Sequence, residues 1–283
     1  MKEELCDKIK HIANLPTLPQ VASRLMRIVR EPNTSAETVA ALVAQDISLS
    51  AKILRLANSA FYGVPRSINN INNAVVILGF KIIQTMVLGL TVFDMFGDSE
   101  EESRLFDRKE FWMHSLKCGT AAKLLALRCR QTTRLDPEEA FCAGLLHDVG
   151  KIVMEQYLHQ DFHKALRLAT RKKISHFEAE NEVLGYNHCD VAGWLTSTWS
   201  LPEEIELALE FHHTPDMAPG AKNAVTLCYF ANYLSKTTSP YQNEELKPRL
   251  ALLGLEMADL QEVAEAIPEE LQKVDGMFGN ALE

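Results

Sequence analysis

The sequence predicts an all-α protein, and three observations carry that prediction. Apolar residues recur three and four positions apart: Val21, Leu25, Ile28 and Val29 share one stripe, Val39, Leu42 and Val43 a second, and Leu49, Ile53, Leu54 and Leu56 a third. No segment alternates polar and apolar residues with the period of two that a half-buried strand requires. Helix-start signals repeat the message. Thr34-Ser35-Ala36-Glu37 reads as a capping box, and Asp136-Pro137-Glu138-Glu139 places an N-cap, a first-turn proline and acids matched to the helix dipole in order.

In the first third, Asn14-Leu15-Pro16-Thr17-Leu18-Pro19 and Phe61-Tyr62-Gly63-Val64-Pro65-Arg66 are the clearest breaks, because each proline biases the preceding residue away from helix. Short helices are expected between them. The acidic stretch Gly97-Asp98-Ser99-Glu100-Glu101-Glu102-Ser103 lies between two strongly periodic segments and reads as a solvated boundary. The expected division is therefore an N-terminal helical subdomain over residues 1–100 and a helical bundle over 101–283. Within the bundle, periodicity and punctuation predict helices over 108–130, 137–146, 150–157, 161–171, 177–184, 189–198, 202–211 and 223–235. An acidic segment from Glu256 closes the chain.

Composition narrows the functional classes. A chain of 283 residues can bury about three quarters of the surface of its unfolded state. Its formal net charge of −9 argues against non-specific nucleic-acid binding, which draws its free energy from cations displacing condensed counterions. The cysteines, at 6, 118, 129, 142, 189 and 228, are scattered singly, as expected of reduced thiols. No secretory leader precedes Lys2-Glu3-Glu4. The longest apolar stretch, residues 74–96, is interrupted by Lys81, Gln84 and Asp94, which speaks against a membrane span. A soluble, cytoplasmic protein is the expectation.

The richest motif is His147-Asp148, which follows the apolar turn Ala143-Gly144-Leu145-Leu146 and precedes Val149-Gly150-Lys151. An imidazole beside a carboxylate can hold one borderline divalent ion (Mn, Fe, Co, Ni or Zn), and an open coordination position would acidify a bound water. His114, His188 and the doublet His212-His213 add to the pair, so five of the nine histidines belong to one candidate constellation. Each also has a bland reading: His114 as a satisfied helix histidine beside Trp112, His188 as a polar helix-start residue, His212-His213 as helix-end cations. Glu110, four residues before His114, shares its helix face and could touch a second ion or orient the histidine; the alternative is a solvated first-turn acid. Lys151, one turn after Asp148, could bring an ammonium to a phosphate, or be an exposed lysine. The remaining histidines, 11, 159, 163 and 176, lie in polar surroundings and are expected at the surface.

The ordered set His114, His147-Asp148, His188 and His212-His213 resembles the HD superfamily of metal-dependent phosphohydrolases, and within it the HDOD family. The narrower match rests on Leu15-Pro16-Thr17-Leu18-Pro19, on the run from Gln45-Asp46-Ile47-Ser48 to Phe61-Tyr62-Gly63, on Phe111-Trp112-Met113-His114-Ser115 and on Ala143 to Lys151. It spans roughly residues 10–240. The resemblance implies a bacterial signalling module, an N-terminal helical subdomain packed on an HD-like bundle, related to the HD-GYP cyclic-dinucleotide phosphodiesterases. It implies one or two divalent ions held by His114, His147, Asp148, His188, His212 and His213, with Glu110 a weaker addition and Lys151 a phosphate contact.

Two departures bear on catalysis. The superfamily's closing aspartate is replaced by Asn232, a neutral and weaker ligand, and Thr214-Pro215-Asp216 follows the histidine doublet where the phosphodiesterase branch carries Gly-Tyr-Pro. The leading expectation is therefore a regulatory protein with a retained or partly degenerate metal site that acts through signalling partners. A phosphohydrolase acting on a nucleotide or cyclic dinucleotide is the alternative. A third expectation is an adaptor that uses a basic patch of Lys52, Arg55, Arg66 and Lys81.

Overall fold

The computed structural model describes residues 19–59, 62–95, 105–129, 135–199, 201–237 and 243–282, and among them there is no strand. The helices are α1 Gln20–Ile28, α2 Ala36–Val43, α3 Ile47–Ala57, α4 Ile71–Leu78, α5 Phe80–Met95, α6 Arg108–Arg128, α7 Pro137–Leu146, α8 Val149–Tyr157, α9 His159–Lys172, α10 His176–Leu184, α11 His188–Thr196, α12 Glu203–Phe211, α13 Lys222–Lys236, α14 Lys247–Leu252 and α15 Met257–Leu282. From α6 to α13 every predicted helix is present, with ends that differ by at most two residues. The acidic closing segment folds as α15.

The starts are set as the chemistry demands. Asp136 caps α7 in a full capping box with Glu139, and Ser175 with Glu178 and Asn187 with Asp190 do the same for α10 and α11. The box expected at Thr34 is a correction: Ser35 is the N-cap of α2, accepting from the Thr38 amide, while the Thr34 hydroxyl donates to the Ile28 carbonyl. The apolar stretch over 74–96 is split at Gly79, whose φ of 87° ends α4, and the two helices meet at a bend of 119°. No single helix among the described residues is long and apolar enough to cross a membrane.

The core is continuous from Ala22 to Val274. α6 is its axis, packed against α7, α13 and α15, while α15 also returns to α3 and α5 lies on α7. The contact between α5 and α7 is tied by Thr85 Oγ1 donating to the Glu138 carbonyl at 3.3 Å and by Lys81 pairing with Glu139 at 3.2 Å. Both halves thus share one core. The breaks at Asn14–Pro19, apart from Pro19 itself, and the acidic boundary over 97–103 lie outside the described residues.

Two close approaches shape the bundle's centre. A Cβ on Gly144 would stand 2.7 Å from the Cys118 carbonyl oxygen, so α7 meets α6 backbone to backbone. A Cβ on Gly150 would stand 1.9 Å from the His188 carbonyl oxygen, so α8 and the start of α11 touch where only glycine fits.

Candidate metal centre

The close approaches bring helix ends together. His147 is the C-cap of α7 and Asp148 the N-cap of α8, yet the Asp148 carboxylate makes no capping bond and turns inward instead. His188 is the first residue of α11; Asn187 caps that helix, which frees the imidazole for other use. His212 is the C-cap of α12, and His114 lies two turns into α6.

All four imidazoles aim their Nε2 atoms at one carboxylate. Asp148 Oδ2 lies 3.2 Å from His147 Nε2 and 3.4 Å from His114 Nε2; Oδ1 lies 3.1 Å from His188 Nε2 and 3.6 Å from His212 Nε2. His114 Nε2 and His147 Nε2 are themselves 3.2 Å apart. The other ring nitrogen of each histidine is engaged. His147 Nδ1 donates to the Gly144 carbonyl at 2.7 Å and His212 Nδ1 to the Leu209 carbonyl at 3.1 Å. His188 Nδ1 donates to Glu180 Oε2 at 2.6 Å. The Ser235 hydroxyl donates to the Asn232 carbonyl and so accepts from His114 Nδ1 at 3.1 Å. With each Nδ1 carrying its proton outward, a neutral ring presents a lone pair at Nε2, the arrangement that outer partners impose on metal-binding histidines.

Lone pairs facing one another need a cation between them, and the buried side-chain atoms left without a hydrogen-bond partner include three of this cluster, Asp148 Oδ1, His188 Nε2 and His213 Nε2, as well as the Asn232 amide oxygen. His114, His147 and Asp148 form one group able to hold an ion; His188, Cys189, His212 and His213 form a second. The residues present therefore fit a borderline divalent ion.

Burial and charge pull the set in opposite directions. Burial drives His147 down to about 3 despite Asp148 beside it, so this ring is neutral. Burial also lowers His114. For His212 burial is outweighed by Cys189 and Asp148, which push it up to about 9, and Glu180 and Cys189 likewise raise His188. The two imidazoles in turn overcome burial at Cys189 and bring its thiol down to about 7. Asp148 is held well below the usual carboxylate range, because His147, Lys151 and His188 outweigh the cost of burying it. Without a metal, protons on His188 and His212, together with the Lys151 ammonium, offset the negative charge beside them, and a bound ion would have to displace the imidazole protons.

The other expected residues fall into place unevenly. Lys151 is buried rather than exposed, with Nζ 2.6 Å from Asp148 Oδ2. His213 stacks on Phe177 with ring centroids 4.6 Å apart, and burial with the neighbouring His212 and His188 holds it uncharged. Glu110 is exposed and belongs to neither ligand group. A cavity of about 740 Å³ opens onto His114, Asp148, Lys151 and His213, with Lys117 and Lys236 on its wall and Glu110 among its lining residues. Three lysines beside a metal-binding cluster suit an anionic ligand such as a phosphoryl group.

Sequence reasoning missed Glu180, Cys189 and Ser235. Cys189 Sγ lies 3.7 Å from His212 Nδ1, and the five cysteines among the described residues are buried. Of the expected surface histidines, His159 and His176 are exposed and His11 lies outside the described residues. His163 is a correction: it is buried, with Nε2 3.0 Å from Glu155. Two of the four cations of the expected basic patch are paired, Lys52 with Asp94 at 2.6 Å and Lys81 with Glu139 and Asp136.

A helical bundle that gathers histidines around a His-Asp dipeptide at a helix junction defines a protein of the HD class. The chain belongs to the HDOD family: the HDOD domain model matches residues 15–215. It is 26% identical to an HDOD domain protein of Geobacter sulfurreducens, with a TM-score of 0.81 over 98% of this chain and 97% of that one. A Marinobacter aquaeolei VT8 structure classed as a signal transduction protein superposes with a TM-score of 0.81 at 22% identity, over 100% of this chain and 66% of that one. An uncharacterized protein of Treponema pallidum (strain Nichols) is 24% identical over 222 residues, 78% of this chain and 42% of the relative, so the chain spans less than half of that protein.

Proposed function

We propose that this chain is a regulatory HDOD protein whose HD cluster binds one or two divalent ions and whose adjoining cavity takes a phosphorylated anion, a nucleotide or cyclic dinucleotide, as a signal passed on to protein partners. The convergence of four imidazole Nε2 atoms on Asp148, with buried ligand atoms left unpartnered, carries the reading. His114, His147, Asp148, His188 and His212 would hold metal, with His213 and Cys189 beside them. A bound ion would supply Lewis acidity and lower the pKa of a coordinated water.

This chain's own residues do the rest. Glu180, Ser235 and the carbonyls of Gly144 and Leu209 orient the rings, and Lys151 offers an ammonium to an anion in the cavity. The neutral Asn232, in place of a charged ligand, favours binding over turnover. The second reading, a working phosphohydrolase, draws support from Lys151 at the cavity beside the cluster.

Elemental analysis of untagged native protein against Asp148→Ala tests the first part. One to two ions lost in the variant support it, and no ion in either overturns it. A hydrolysis screen of nucleotides, cyclic dinucleotides and simple phosphoesters separates the two readings: metal-dependent turnover abolished in His147→Ala selects the enzyme. Binding of a nucleotide without turnover, lost in Lys151→Met while metal is kept, selects the sensor.

A further inference from the structure

A second set of ligand-type side chains meets where α8 ends and α9 begins, away from the HD cluster. Glu155 lies on the last turns of α8, His159 opens α9 and His163 follows one turn later. Between the helices Leu158 leaves helical geometry, with φ −124° and ψ 27°. His163 Nε2 is 3.0 Å from Glu155 Oε2, His159 Nδ1 is 3.3 Å from Glu155 Oε1, and the rings lie with centroids 3.8 Å apart. One ligand atom from each of the three residues lies within 4.8 Å of the others. Ligand atoms around a tetrahedral ion with bonds of about 2.0–2.2 Å sit roughly 3.3–3.6 Å apart, so small adjustments would seat an ion among them.

The charge balance points the same way. The Glu155 side chain is 5% exposed, and among the described residues no lysine or arginine lies within 4.0 Å of its carboxylate; its ionic neighbours are the two imidazoles. His163 Nε2 already gives this buried carboxylate a hydrogen-bonding partner, and an ion shared with the two imidazoles would add a countercharge of higher magnitude. The His159 side chain is 45% exposed, which leaves solvent access for entry and for water in the remaining coordination positions.

We propose that Glu155, His159 and His163 form a second divalent-cation site, suited by its two nitrogens and one carboxylate to Zn²⁺, Co²⁺ or Ni²⁺ rather than Mg²⁺ or Ca²⁺. The site fastens α8 to α9. Glu155 lies seven residues beyond Asp148, about 10 Å along the same helix, so an ion here steadies the far end of the element that carries the HD aspartate.

Equilibrium dialysis of untagged, chelator-stripped full chain against Zn²⁺, with a parallel Co²⁺ titration followed by visible absorption, tests the site. His159 is exposed, so His159→Gln keeps the fold. It is expected to bind one Zn²⁺ fewer than the native chain, or the same ion roughly tenfold or more weakly, with a matching loss of the Co²⁺ band. Glu155→Gln should behave alike, and Asp148→Ala should retain this ion while the Asp148→Ala/His159→Gln double variant loses it. Zn²⁺ stoichiometry and affinity unchanged in His159→Gln would overturn the proposal.

Discussion

Replacing Gly150 with alanine tests how the HD cluster is assembled. The added Cβ would stand 1.9 Å from the His188 carbonyl oxygen, 2.8 Å from its carbon and 3.1 Å from the Ala192 nitrogen. All three are backbone atoms, so no side-chain rotation relieves the overlap. If the carbon and oxygen relax to about 3.3 Å, the start of α11 must retreat by roughly 1.4 Å. Overpacking of this kind costs about 1–3 kcal/mol, partly offset by the roughly 1 kcal/mol by which alanine favours a helix over glycine. The net loss corresponds to a fall in melting temperature of a few degrees. The functional loss is larger in proportion. A retreat of that size would carry His188 Nε2 from 3.1 Å to beyond 4 Å from Asp148 Oδ1 and stretch the 2.6 Å bond to Glu180 out of hydrogen-bonding range. Thermal unfolding and metal content, measured on the same preparation, should show a slightly destabilised protein that has lost most of its HD-site metal. Native metal content with an unchanged melting temperature would refute the close-packing argument.

Glu180→Gln keeps the size of the buried side chain but removes the charge that orients His188, and metal affinity at the HD site should fall about 10–100-fold in a chelator-competition titration with the fold intact. Metal binding should release protons. His212 is pushed up to about 9 and is protonated at neutral pH, so binding must displace that proton and affinity should rise with pH until about 9; calorimetry at pH 7 in buffers of different ionisation enthalpy reads the release directly, and a heat independent of buffer counts against it. Asn232→Asp places a carboxylate where a buried amide oxygen has no partner, and should tighten metal binding in a direct titration; weaker binding would show that Asn232 stands outside the ligand set.

The helical class and most helix boundaries were legible because they rest on local rules: apolar period, capping residues and breakers. Asp136 with Glu139 shows such a rule met in full. Thr34 shows its limit, since two hydroxyl residues in a row can each cap, and the choice fell to Ser35 because the Thr34 hydroxyl found the Ile28 carbonyl. Glu180 was hidden for a different reason. An acid in the middle of a polar helix reads as a solvated face, and it becomes buried only because Gly185, with φ 73°, turns the chain so that α11 begins against α10. The same holds for His163, whose polar sequence neighbours gave no sign that Glu155 would close over it.

The ligand candidates themselves were visible but ambiguous, since His147, Asp148, His188 and His212 all stand at helix ends, where histidine and aspartate are favoured without any function. The ambiguity is resolved by what caps each helix. Asp148 occupies the N-cap of α8 and makes no capping bond, although aspartate is among the best residues for that task; its carboxylate is spent on four imidazoles and a lysine. Asn187 caps α11 with two amide bonds, which leaves His188 with no capping duty and its Nε2 facing Asp148. A residue that forgoes an available cap to stay buried among four imidazoles and a lysine is placed for ligation, and a divalent ion fits the cluster it centres.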